Sequence, residues 1–216
     1  MNPTDATESK EACCRVGREL AEHGWAPGSS GNISARLNAE TFWITPSGKA
    51  LGTVKPAELC EISILPTRQP EQTSDCRPSS ELPMHRVVYE NLPDVHAVIH
   101  AHLPYTIALS LHDFDFQRVI VPESVLTLGT IGVAPYSLPA SEENAVAVSQ
   151  LMMKHHTIVL PRHGALTFGE QLEQALHRLE TLESLAQTIH LALQLGEVQD
   201  LPEAECRRLW EHRQKF

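Results

Sequence analysis

Residues 96–102 read His-Ala-Val-Ile-His-Ala-His. The small and β-branched residues between the histidines suit a buried strand. Side chains alternate faces along a strand, so His96, His100 and His102 project to the same side. A chain containing this stretch must build a sheet in which one face of one strand carries imidazoles. That requirement constrains the fold and the chemistry together.

The rest of the 216 residues supplies what such a sheet needs. The length suits one domain with a substantial core. A net charge of −10 gives no support to nucleic acid or an anionic membrane surface as a partner. An anionic ligand must then be held locally, by backbone N–H groups and a few cations. The five cysteines include an adjacent pair and form no CxxC motif, so the reading is a reduced, cytoplasmic protein without a disulfide framework. The N-terminus has no apolar signal region, and no run approaches the roughly 20 apolar residues of a membrane span.

Periodicity predicts a helix opening at Ser9 and stopped by Gly24, with Ala12, Val16, Leu20 and Ala21 at helical spacing. Strands are predicted after the loop Ala26–Asn32, in "TFWI", and in "LCEISIL", where Cys60, Ile62 and Ile64 share a face. Residues 66–78 are polar and proline-bearing and read as an exposed loop. Ser79 or Ser80 can cap a helix with Pro83 in its first turn, traced by Met84, Val87, Val88 and Asn91. Further helices are predicted over "LPYTIALSLH", after Ser141, along 170–196, and near Glu203–Arg213; further strands in 95–102, "GTIGV" and "HTIVL", the last ending at Pro161. The alternation predicts one α/β or α+β domain with helices on both faces of a mixed sheet.

His100 and His102 sit two apart, a separation that one metal ion can bridge, and His163 in "LPRHG" lies where a strand ends at a glycine. Three protein ligands and one open position are what a catalytic zinc site needs, and imidazole ligation also suits cobalt, nickel or iron. An HxH pair is equally two half-buried polar residues, so the pair alone leaves both readings open. His96 reads as solvated, and His155 and His156 as cations at a helix end. Glu81, in a helix's first turn, is either a partner of the helix dipole or a general base beside a bound substrate. "GSSGN" (28–32), "TPSG" (45–48) and "SSE" (79–81) are generic turns singly. Together they are three places where exposed N–H groups can approach a phosphate. The chain has no GxxxxGK[ST] and no strand-GxGxxG-helix unit, so nucleotide binding has no support.

In their order and spacing, "GSSGNIS", "TPSG", "SSELPMH", "HAH" and "RHG" resemble the zinc-dependent class II aldolase and adducin family, of the L-fuculose-1-phosphate aldolase type, over about residues 8–196. The resemblance implies a single-domain αβα sandwich over 1–216, with a mixed, largely antiparallel central sheet and a polar tail at 197–216. It implies that His100, His102 and His163 hold one Zn2+ per subunit and that Glu81 is the catalytic acid/base. Gly31, Asn32, Ser47, Gly48, Ser79 and Ser80 match the positions that hold the substrate phosphate. The expected activity is reversible cleavage of a ketose 1-phosphate to dihydroxyacetone phosphate and an aldehyde, with zinc stabilising the enediolate. The expected assembly is a homotetramer with active sites between subunits.

The chain departs from the fuculose-phosphate pattern in two respects: the family's tyrosine in the C-terminal tail has no match, the tail offering only Trp210 and Phe216, and a second tyrosine is missing earlier in the chain. The tyrosine those enzymes donate from a neighbouring subunit should fall within 119–125, where this chain has Val121, Pro122 and Glu123. Glu123 can replace it as proton donor or is a solvated loop acid; Tyr136 reads as a packing residue. The same constellation also suits a deoxypentulose-phosphate aldolase, a decarboxylase of an oxo-sugar-acid phosphate, a pentulose-phosphate 4-epimerase or a non-catalytic adducin-like module. Glutamate at 81 favours aldol cleavage over epimerisation, since the epimerase branch has aspartate there.

Overall fold

The computed structural model describes residues 3–65 and 76–214. Its centre is a sheet of seven strands: β1 (Asn32–Arg36), β2 (Thr41–Ile44), β3 (Cys60–Ser63), β4 (Ala97–Ala101), β5 (Ile131–Val133), β6 (Thr157–Leu160) and β7 (Gly164–Gly169). Their order across the sheet is β3-β2-β1-β4-β7-β6-β5. Every pairing is antiparallel except β5 with β6. Six helices flank it: α1 (Pro3–Glu22), α2 (Leu82–Asn91), α3 (Pro104–Ser110), α4 (Glu142–Leu151), α5 (Leu172–Leu195) and α6 (Glu203–Arg213).

The helices form two layers, one on each face. Cys13, Val16 and Leu20 of α1 pack with Leu109 of α3, Leu179 and Leu182 of α5, and Ile33, Ala97, Ile99 and Ala101 from one face of the sheet. Met84, Val88 and Tyr89 of α2 pack with Ala147 and Val148 of α4 and with Phe42, Ile62, Val98 and Leu166 from the other. The result is an αβα sandwich around a mixed, largely antiparallel sheet.

Local chemistry places the elements. Asn38 turns the β1–β2 hairpin by accepting the N–H groups of Glu40 and Thr41 at 2.7 and 2.8 Å. Ser141 caps α4 by accepting the Asn144 N–H. Arg36 closes the end of α2, donating to the carbonyls of Tyr89, Leu92 and Val95, where a cation also meets the negative end of the helix dipole. Buried Glu183 of α5 does the converse for α3, accepting the N–H groups of Tyr105 and Thr106.

Several expectations are corrected. The first helix begins at Pro3 rather than Ser9. Helix α2 begins at Leu82, with Glu81 itself at the capping position; Ser79 instead accepts the Glu81 N–H through Oγ. Strand β7 was not anticipated, nor was the single π-helical turn Ser124–Leu128. Tyr136 is 65% exposed rather than packed. Cys60 and Cys76 form a disulfide, with Cα atoms 5.6 Å apart, because the segment entering Pro78 lies beside the start of β3. Cys13, Cys14 and Cys206 are free. The loop read over 66–78 falls outside the described residues for 66–75. Among the described residues no helix is long and apolar enough to cross a membrane.

Candidate metal centre and its carboxylate

The antiparallel ladder brings the end of β4, the end of β2 and the starts of β1 and β7 to one edge of the sandwich. His100 is the fourth residue of β4 and is fully buried, on the α2 face beside Val98. His102 lies just past the strand, fixed by its N–H, which donates to the Trp25 carbonyl at 2.8 Å. His163 ends the turn between β6 and β7, in which Arg162 carries φ = 65°, a left-handed conformation uncommon for a non-glycine residue. One potential ligand atom from each of His100, His102 and His163 lies within 4.8 Å of the others.

Two glycines allow this approach. At Gly164 a Cβ would stand 2.2 Å from the Ala101 carbonyl oxygen, so the two strands meet only because position 164 has no side chain. The sequence places a strand end at this glycine, and what the glycine provides here is close approach. Gly31 combines φ = +74° with backbone contact, since a Cβ there would stand 3.1 Å from the His100 carbonyl.

The histidines face a carboxylate. Glu81 Oε2 is 3.2 Å from His100 Nε2, and its Oε1 is 3.2 Å from His163 Nε2. His100 Nδ1 donates to the Ala165 carbonyl at 3.0 Å, which leaves Nε2 as the lone-pair nitrogen aimed at the cluster. Burial pushes His100 down to about 4, and burial also lowers His102 and His163, so all three are neutral near pH 7. Burial alone would raise the Glu81 carboxyl, but His100, the Asn32 amide and His163 outweigh it and hold Glu81 below the usual carboxylate range. Buried His100 Nε2 and Glu81 Oε1 have no hydrogen-bond partner. The His100 lone pair and the Glu81 carboxylate thus face each other with no proton between them. A divalent cation resolves that conflict, so the donor set fits zinc or a similar metal.

The three loops also meet. Pro46 bridges Pro78, the Ser47 N–H donates to Arg77 O at 2.8 Å, and the Ser79 N–H donates to Thr45 O at 3.1 Å. "TPSG" and "SSE" therefore run side by side, with Gly48 at φ = +75°. Asn32 points at Glu81, donating Nδ2–H to Oε2 at 2.7 Å. Glu123 is not part of this assembly: it is exposed and lines a separate groove with Val121, Glu180 and Thr181. His96 is exposed, as read from its place at the strand's start.

The sequence reading did not single out His85. It is fully buried on α2 and bonds to Asn32 and to Ser34. The available signal was a polar residue on the inward side of a helix otherwise lined by Met84, Val88 and Tyr89.

An αβα sandwich with three histidines and a carboxylate gathered at one sheet edge defines a candidate metal centre with a carboxylate beside it. The chain belongs to the class II aldolase and adducin family, whose N-terminal domain model matches residues 11–190. It is 33% identical to a 3-oxo-tetronate 4-phosphate decarboxylase of Cupriavidus necator, over 84% of each chain. It is 31% identical to an L-fuculose phosphate aldolase of Methanococcus vannielii, over 81% of this chain and 91% of the relative. Its fold matches the crystal structure of YgbL, a putative aldolase/epimerase/decarboxylase from Klebsiella pneumoniae, with a TM-score of 0.85 and 31% identity, covering 94% and 98% of the two chains.

Proposed function

We propose that this protein is a metal-dependent carbon–carbon lyase that decarboxylates a 3-oxo-sugar-acid phosphate of the 3-oxo-tetronate 4-phosphate type. The observation that carries this choice is the single carboxylate at the histidine cluster. Among the described residues, Glu81 is the one acidic side chain in contact with the histidines. Loss of CO2 from a 3-oxo acid needs one proton transfer. The bond between the carboxyl carbon and C2 breaks, its electron pair delocalises into the C3 carbonyl as an enediolate, and a proton is delivered to C2. Aldol cleavage needs a second group to take the hydroxyl proton of the departing aldehyde; on a single chain Glu123 lines a separate groove, so that role would require Glu123 from a neighbouring subunit, whereas decarboxylation needs Glu81 alone. The 33% identity to a decarboxylase supports the same choice.

In this reading His100, His102 and His163 hold the metal, which when bound supplies Lewis-acid stabilisation of charge developing on the substrate oxygens. Glu81 rests as a carboxylate. The negative charge developing beside it raises its proton affinity, and it passes a solvent proton to C2, giving dihydroxyacetone phosphate. Gly31, Asn32, Ser47, Gly48, Ser79 and Ser80 hold the phosphate. Ser47 and Ser79 spend their backbone N–H groups on each other's segments, so what they offer is their hydroxyls. The active assembly is a homotetramer.

The second reading is aldol cleavage of an L-fuculose 1-phosphate-like ketose, with Glu123 of an adjoining subunit as the second proton-transfer group; the 31% identity to a fuculose phosphate aldolase supports it. Both reactions form dihydroxyacetone phosphate, and the leaving group separates them. We expect the zinc-loaded protein to release CO2 and dihydroxyacetone phosphate in equal amounts from 3-oxo-tetronate 4-phosphate. Glu81→Gln should keep its metal and lose about 10²–10⁴-fold in turnover. Aldehyde release from fuculose 1-phosphate, with no CO2 from the oxo acid, would reverse the choice.

A further inference from the structure

The Glu81 carboxylate is held by a chain of buried polar groups that runs away from the site into the sandwich. Asn32 and Ser34 alternate onto the α2 face of β1, and His85 and Tyr89 stand one turn apart on α2. The four lock together: Asn32 Nδ2 to Glu81 Oε2 at 2.7 Å, His85 Nε2 to Asn32 Oδ1 at 2.6 Å, His85 Nδ1 to Ser34 Oγ at 2.7 Å, and Ser34 Oγ to Tyr89 Oη at 2.9 Å. None of the four is more than 4% exposed.

The donor directions follow from one end. Glu81 as a carboxylate only accepts, so Asn32 must present its NH2 there and its oxygen to His85. His85 Nε2 therefore carries the proton, and Nδ1 accepts from the Ser34 hydroxyl. Ser34, having spent its proton, accepts from the Tyr89 hydroxyl. Burial keeps the middle and the far end of this chain in the required form, pushing His85 down to about 3 and raising Tyr89. The two ends of an asparagine amide have nearly the same shape, so the partner on the far side decides which one faces the carboxylate. If the amide flipped, two acceptors would face each other at hydrogen-bonding distance.

We propose that His85 is a positioning residue for Glu81: its Nε2–H, fixed by Ser34 and Tyr89, holds the Asn32 amide with its NH2 toward the carboxylate. The inference rests on Glu81 being the acid/base. It accounts for an N-x-S pair on a strand opposite an H-x-x-x-Y pair on a helix, at core positions where apolar residues would pack with no polar groups to satisfy.

The experiment compares His85→Leu with His85→Gln in the metal-loaded full-length protein, with Glu81→Gln alongside. Glutamine can place an amide N–H where the imidazole Nε2–H stands; leucine cannot. We expect His85→Leu to keep its metal content and KM within about threefold and to lose kcat on the order of 10²-fold. His85→Gln should recover most of that loss. Nitrogen-15 NMR of the metal-free wild type should show His85 as the neutral Nε2–H tautomer, a readout independent of turnover and of whether the leucine variant folds. An Nδ1–H tautomer, full kcat in His85→Leu, or an equal loss in both His85 variants would overturn the inference. Retained turnover in Glu81→Gln would instead overturn the acid/base reading and this inference with it. A Glu81→Gln loss beside an unaffected His85→Leu would sink this inference alone.

Discussion

At the scale of single residues, the site depends on what is absent as much as on what is present. Gly164 lets β7 press against the end of β4, where a Cβ would overlap the Ala101 carbonyl. Gly164→Ala should push the strands apart, cost about 1–3 kcal/mol in urea unfolding and lower zinc content per chain, while circular dichroism stays native. The buried imidazoles make a second prediction. Burial pushes His85 down to about 3 and His100 down to about 4, from the 6.5 of an exposed imidazole. Below 6.5 the unfolded chain binds protons that the folded chain refuses, so stability rises with pH through this window. In metal-free protein the urea midpoint should be flat above pH 6.5 and fall as pH drops toward 4 and then 3. A midpoint unchanged between pH 7 and 4.5 would show that these imidazoles are not held neutral. The HxH spacing made His100 and His102 legible from sequence alone. His163 needed its turn and the order of the motifs, because a ligand 61 residues beyond His102 leaves no local periodicity. His85 offered only a polar residue on the inward side of a helix; its significance lies in a strand 53 residues upstream that its ring touches.

At the scale of elements, periodicity marked the helices with one wet face, and runs of β-branched and aromatic residues bounded by turn residues marked strands, even the fully buried β4 and β6. Helices α4, α5 and α6 and strands β1 to β6 were legible near their observed positions. The seventh strand was not. All six residues of β7 are buried, between β4 and β6 and under helices on both faces, so no alternation marks it. A glycine at each end disguised it further. The start of α2 was misplaced for a different reason: Ser79 has a capping hydroxyl, but it supports the Glu81 N–H inside the turn before the helix. Helix α3 has only seven residues and relies on Glu183 for its first turn. Glu183→Ala strands two backbone N–H groups and the Thr106 hydroxyl. It should cost about 2–3 kcal/mol in unfolding free energy, measured by urea titration against Glu183→Gln, which keeps an acceptor and should lose less.

At the scale of the whole molecule, the fold class and its two helical layers follow from the alternation of elements, and the family from five short motifs. What a single chain does not encode legibly is its outer face. Val133 on β5, Tyr136 and Leu138 in the following loop, and Val146 and Met153 on and after α4 are all at least 41% exposed. These exposed apolar side chains lie on or near the edge strand β5 and on and after α4, and the proposed tetramer would give them a partner. Sedimentation at micromolar concentration should give about four times the 23.9 kDa chain mass. Tyr136→Lys with Leu138→Lys should shift that toward smaller species if this face is used; an unchanged tetramer would assign assembly to another surface.

The contact that fixes His102 also gives the site an optical tag. The Trp25 carbonyl accepts the His102 N–H, and its indole stacks on the His23 ring at 4.4 Å between centroids. The other two tryptophans lie in other elements, Trp43 on β2 and Trp210 on α6. Any event that tightens or loosens the end of β4 is therefore coupled through one peptide group to a fluorophore already in the chain. Metal addition is expected to change tryptophan emission in the ultraviolet without a label, and Trp25→Phe should abolish that change.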